Sequence, residues 1–134
     1  AWNEVDTLPL PTKLLDSIYR HNSYAMVTWE PWGTMVKNEK QVLSQIRQGV
    51  YDSYIASIAS ALRDLQQPIF LRFAHEPDNP SYPWSKSGGN TPADYRASWQ
   101  YVRNIFHKNG PTWWFSTRKT SVPYHQSSCH DLDL

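Results

Sequence analysis

A parallel α/β fold is what this sequence predicts, and three observations carry that expectation. Two short apolar runs, residues 24–29 and 68–74, each follow a stretch with helical spacing and end in ionisable residues. Pro68 separates the second run from the helical pattern before it, because proline lacks the amide a helix interior needs and biases its predecessor towards extended backbone. A strong helix start at Thr91-Pro92 follows the second run, so strand and helix alternate in the manner of βαβ units. Pattern alone leaves a small doubly wound sheet and a barrel equally open.

In chain order, residues 2–3 read as the end of a strand, followed by a proline-broken loop. Pro11 or Thr12 opens a short helix with Leu14, Leu15 and Ile18 in one apolar stripe, ending near His21 and Asn22. Residues 24–29 form the next strand, whose exit at Glu30-Pro31-Trp32-Gly33 puts a carboxylate at a strand end. Residues 38–48 are weakly amphipathic, suiting a short helix or an ordered loop. Over residues 50–67, Ile55, Ile58, Ala59, Leu62 and Leu65 recur at helical spacing. In the strand that follows, alternation puts Ile69, Leu71, Phe73 and His75 on one face and Phe70, Arg72, Ala74 and Glu76 on the other. The first face suits packing on helices, whereas the second carries an arginine and a carboxylate inwards, which is costly unless they are paired or used. Residues 85–90 make a polar connector. Thr91 caps the last helix, Pro92 fits its first turn and Asp94 meets the positive end of its dipole. Tyr95, Trp99, Val102 and Phe106 line its buried face, and Asn109-Gly110 is expected to end it in a left-handed turn.

Composition narrows the function. The 134 residues are 40% apolar and carry a formal charge of +1, which gives no reason to expect nucleic acid or an anionic membrane as partner. No stretch approaches the roughly 20 apolar residues of a membrane span. Cys129 is the single cysteine, so no internal disulfide forms. Seven Trp and eight Tyr exceed what a small core needs, and flat amphipathic rings suit the apolar face of a pyranose. Packing between helices and strands is the plainer use for any one of them.

The run Arg72-Phe73-Ala74-His75-Glu76 followed by Tyr82-Pro83-Trp84 resembles the acid/base motif of glycoside hydrolase family 26, (β/α)8-barrel enzymes that cut β-mannans and β-glucans. The resemblance covers about residues 2–110 and includes Val27-Thr28-Trp29-Glu30-Pro31, Gly49-Val50-Tyr51-Asp52 and the helix opened by Thr91. It implies a partial TIM barrel, about strands 3 to 5 with their helices, in which residues 1–110 are a piece of the catalytic domain. Glu76 would be the general acid/base of a retaining mechanism, in a cleft at the stave ends. His75, Tyr82, Trp84 and Trp29 would meet substrate, with His75 either orienting a carboxylate or binding sugar. Arg72 and Glu30 would belong to a supporting network. The implied partner is a polysaccharide or oligosaccharide, with no metal or other cofactor, and the family makes a secreted or periplasmic location plausible.

Two departures from the family pattern qualify this. Pro77-Asp78-Asn79-Pro80-Ser81 stands where mannanase-like members carry Met-Asn-Gly and a nearby Trp, which counts against mannan specificity and leaves β-glucan or another bacterial polysaccharide as alternatives. The family nucleophile is a glutamate on a later strand that nothing here matches; Asp131 and Asp133 lack its motif. The chain as written is therefore expected to hydrolyse glycosides very slowly or not at all.

Residues 111–134 show neither helical nor strand period after Trp113-Trp114-Phe115, and codons compatible with residues 111–117 permit, in another frame, a segment resembling the family's fifth strand. A frameshift near Gly110 is the expectation, with a natural irregular tail as its rival. His125, Cys129 and His130 match no standard zinc spacing. An incomplete barrel would leave strand edges unpaired and favour self-association. The rival functions are a non-catalytic carbohydrate-binding or vestigial protein and, from the doubly wound alternative, an unrelated small domain.

Overall fold

The computed structural model describes residues 11–31 and 39–110. Expectations placed on residues 2–3, 32–33 and 111–134, including Asp131, Asp133 and the His125, Cys129, His130 group, lie outside the described residues. The elements run α1 (Thr12–Arg20), β1 (Ala25–Trp29), a 3-10 turn (Glu39–Gln41), α2 (Val42–Arg47), α3 (Asp52–Asp64), β2 (Ile69–Phe73), a second 3-10 turn (Lys86–Gly88) and α4 (Pro92–Asn109).

Each terminus has a local cause. The Pro11 carbonyl accepts the amides of Leu14 and Leu15, starting α1. Asn22 ends it at φ 53°, with Ser23 N donating to Ile18 O and Asn22 N to Tyr19 O, the paired bonds of a left-handed helix stop. Leu14 departs from the expected stripe: it is 60% exposed, and Leu15 is the buried member. The helix expected over residues 50–67 begins at Asp52, and Val50 before it is exposed. α4 opens on the capping box that Thr91 and Asp94 promise: Thr91 Oγ1 accepts the Asp94 amide, and the Asp94 carboxylate accepts the Thr91 amide. The Thr91 hydroxyl, donating to Asp94 Oδ2 at 2.6 Å, and the Thr91 amide on the same oxygen, with Arg47 2.9 Å away, hold the Asp94 carboxyl below its usual range. Gly110 corrects the expected helix end. Its φ is −88°, an extended and not a left-handed conformation, and glycine is needed there for another reason: a Cβ would lie 2.6 Å from the Phe106 carbonyl oxygen.

β1 and β2 pair in parallel, Ala25 opposite Ile69 through Trp29 opposite Phe73. Alternation then sorts the two faces. Ala25, Trp29, Ile69, Leu71 and Phe73 are buried with Leu43 and Ile46 of α2, Ile55, Ala59 and Leu62 of α3, and Val102 and Phe106 of α4. Each Leu, Ile, Val and Phe side chain among these contributes about 1.5–3 kcal/mol on leaving water. α4 packs against both α2 and α3. Buried Ser98 fastens the first of these contacts, its hydroxyl facing the Leu43 carbonyl at 3.0 Å and its own helix's Asp94 carbonyl at 2.9 Å. Phe70 is half-buried on the opposite face, where Met26, Thr28 and Arg72 are exposed. One adjacent parallel pair with helices on one side is common to barrels and doubly wound sheets.

Candidate functional site

The site lies where β2 runs out. The strand stops at Phe73 because Ala74 turns to φ 45°, and Glu76 repeats the departure at φ 51°. Neither residue is glycine, so each left-handed conformation costs about 1 kcal/mol or more. Strand alternation consequently ends at Phe73, and the expected pairing of His75 with the Leu71 face and Glu76 with the Arg72 face does not extend past it. The Ala74 amide still donates to the Trp29 carbonyl at 2.9 Å, tying this exit to the end of β1.

From Glu76 the chain descends through four successive turns, the amides of Asn79, Tyr82, Ser85 and Gly88 each bonding the carbonyl three residues back. Asn79 does the most for the carboxylate. Its Nδ2 donates to Glu76 Oε2 at 2.9 Å, while its Oδ1 accepts the Ser81 amide. The connector over residues 85–90 is packed, not loose. Asn90 Nδ2 bonds the Pro83 carbonyl at 2.8 Å, and Gly88 lies so close to that carbonyl that a Cβ would fall 1.8 Å from it.

That loop holds a stack of rings. Tyr82 lies on Trp84 with centroids 4.5 Å apart and planes 11° apart, and His75 meets the Tyr82 ring edge-on at 4.9 Å. Tyr82 Oη is 2.9 Å from His75 Nε2, and Trp84 Nε1 donates to the His75 carbonyl at 2.9 Å. His75 Nδ1 faces Glu30 Oε1 at 3.4 Å, within ion-pair range but without hydrogen-bond alignment. Burial raises the Tyr82 phenol above its ordinary range, the charges of Glu76 and Glu30 add to this, and Arg72 opposes it. Both carboxylates and the guanidinium are therefore within electrostatic reach of one hydroxyl. Behind the rim, Tyr95 of α4 donates to the Phe73 carbonyl at 3.1 Å, and burial pushes its phenol up to about 12.

Of the expected site residues, the structure gathers Glu76, His75, Tyr82, Trp84 and Glu30. Trp84 is 1% exposed, so it supports Tyr82 from below and presents no face of its own to a sugar. Trp29 is not brought to the rim. Alternation puts it on the helix-facing side of β1, 7% exposed against Phe73 and Tyr54. Arg72 reaches across the sheet, its Nε donating to Thr28 Oγ1 at 3.1 Å. Glu76 is exposed, whereas a cleft was expected around it. Two strands build one wall of a rim, and no described residue faces that wall from across a cleft. Asn79 was missed by sequence reasoning. Its signal was the Asn-Pro-Ser run, a frequent turn former whose side chain commonly bonds two residues ahead.

Chemically, the wall offers a solvent-accessible carboxylate held by an amide, next to a half-buried phenol backed by an indole. A carboxyl group so placed can exchange a proton with a bound hydroxyl or ether oxygen, and the ring face suits a pyranose. Among the described residues no group of three or more His, Cys, Asp or Glu could hold a metal ion. No described helix is long and apolar enough to cross a membrane.

No protein-family model matches the chain. Endoglucanase H of Acetivibrio thermocellus is 32% identical over 113 residues, 80% of this chain. The chain spans 12% of that protein's length. At the coarse level that this match supports, the sequence is glycoside hydrolase-like.

Proposed function

We propose that this chain is part of a family 26-like β-glycanase barrel in which Glu76 is the general acid/base of a retaining mechanism. The observation that carries this reading is the Glu76 carboxylate at the carboxyl end of β2, fixed by Asn79 beside the Tyr82 ring. Active sites of α/β barrels collect at that end of their strands. Retaining hydrolysis needs a second carboxylate about 5 Å from the first. Glu30, which faces His75, is not assigned that part; the resemblance puts the nucleophile on a later strand.

The endoglucanase match favours β-glucan over mannan as substrate, in keeping with the Pro77-Asp78-Asn79-Pro80 departure from the mannanase pattern. One observation favours a second reading, a glycan-binding protein without turnover: the Tyr82 ring, braced by Trp84, makes a platform that needs no acid.

Binding and hydrolysis of mixed-linkage β-glucan and of mannan, measured side by side on the 134-residue chain and on Glu76→Ala, separate the readings. Turnover that disappears in the variant supports the acid/base role. With no turnover in either protein, as expected where the nucleophile is missing, binding that weakens in the variant still places Glu76 at the sugar, whereas binding that survives unchanged supports the platform. No affinity for either glycan sinks both.

A further inference from the structure

The structure assigns Glu30 and Tyr82 to one device: they hold His75 with its proton on Nδ1, and through it Glu30 acts as a positioning residue for the Glu76 turn. The inference rests on the glycanase reading for the purpose of that turn, but the geometry stands without it.

Nε2 of His75 is hydrogen-bonded to Tyr82, Nδ1 faces a carboxylate, and the side chain is only 11% exposed. Nδ1 is buried with no hydrogen-bond partner and faces a Glu30 oxygen at 3.4 Å. An ionised carboxylate can only accept, so the neutral imidazole carries its proton on the nitrogen that faces it. Nε2 is then left with a lone pair, and at 2.9 Å the Tyr82 hydroxyl donates to it. The order Glu30, His75, Tyr82 thus runs carboxylate, Nδ1–H, Nε2, H–O. It leaves His75 no ring nitrogen for a sugar hydroxyl and selects orientation over sugar binding.

What the ring secures is its own backbone. His75 stands between Ala74 and Glu76, the two left-handed non-glycine residues of this exit. Such conformations persist where the surroundings over-determine them. Here the surroundings are the two ring contacts, the Trp84 indole on the His75 carbonyl, the Ala74 amide on Trp29 and the Asn79 amide on Glu76. Glu30 comes from the end of β1 and Tyr82 from the turn after β2, so His75 bridges both walls of the exit. If that brace loosens, Ala74 and Glu76 are free to relax to negative φ and the carboxylate turns away from Asn79.

Long-range proton–nitrogen correlation NMR of the full chain reads which imidazole nitrogen is protonated. Nδ1 should carry the proton in the neutral wild-type ring. Glu30→Leu, which removes the acceptor facing Nδ1, should return it to Nε2, the site a free imidazole prefers, with the Tyr82 hydroxyl turned to accept, and Tyr82→Phe should change the Nε2 resonance with Nδ1 still protonated. Amide exchange supplies the positioning readout. In Tyr82→Phe, which loses one hydrogen bond, the Ala74 and Asn79 amides should exchange about fivefold to tenfold faster, and in the Glu30 variant, which loses the 3.4 Å carboxylate contact, they should also exchange faster, while Phe106 in α4 keeps its rate. A wild-type ring protonated on Nε2 overturns the assignment. Unchanged exchange at Ala74 and Asn79 in the Glu30 variant overturns the positioning role. Absence of glycan binding would leave these results standing and remove only the glycanase reading.

Discussion

Trp84 allows the sharpest test of how the rim is built, because its two jobs can be separated. Its ring is 1% exposed beneath Tyr82, and its indole N–H reaches the His75 carbonyl at 2.9 Å. Trp84→Phe keeps a ring in the stack and deletes the donor. Losing that bond inside the protein costs about 1–3 kcal/mol, with a further fraction for the smaller ring. Trp84→Ala removes the stack as well, and truncations of this kind cost about 3–5 kcal/mol. Urea unfolding followed by far-ultraviolet circular dichroism measures both. With a slope of about 2 kcal/mol per molar, the Phe variant should unfold about 1 M earlier and the Ala variant about 2 M earlier, a large share of the 5–15 kcal/mol that holds a typical domain. An Ala variant whose midpoint stays within about 0.25 M of the parent would refute a buried, hydrogen-bonded Trp84.

Two other residues give independent checks. The Tyr95 phenol, about 10 when unfolded and about 12 when folded, favours the native state only while protonated. Its contribution is complete below pH 10 and is lost as pH rises from 10 to 12, on the order of 2–3 kcal/mol in all. Tyr95→Phe should therefore lose part of the alkaline decline in stability, as denaturant midpoints at pH 8 and pH 11 will show; an unchanged decline contradicts the burial. Gly88→Ala should destabilise by about 1–3 kcal/mol, since its Cβ meets the Pro83 carbonyl at 1.8 Å. An unchanged melting temperature would mean that the loop under Tyr82 is not packed as described.

Local signals made much of this fold legible. The Thr91 to Asp94 cap and the alternating faces of residues 69–73 depend on neighbours within a few positions, and each is found where the sequence puts it, whereas the helix expected to stop at Pro68 ends earlier, at Asp64, with Gln66 turning to φ 52°. The failures share a cause too. Ala74 and Glu76 adopt left-handed backbone with no glycine to announce it, held by contacts from Glu30, Trp29, Asn79, Tyr82 and Trp84. Tertiary contacts of that kind leave no local trace, so the expected strand alternation runs three residues too far, through Ala74, His75 and Glu76. Trp29 shows the same gap between motif and geometry. Its place beside Glu30 suggested the rim, while its parity on β1 put it in the core with Phe73. Of the site, the ionisable residues at the strand exits were readable; the bridge from Glu30 to His75, 45 positions away, was not.

The central claim is that the Glu76 wall meets a β-linked glycan. Titrating the isotope-labelled chain with mixed-linkage β-glucan oligosaccharides, and following its backbone and side-chain resonances, tests it most directly. The account predicts saturable shifts concentrated at Glu76, Asn79 and Tyr82, with Trp29 and α3 unmoved. Shifts confined to other surfaces, or none at millimolar sugar, would contradict it.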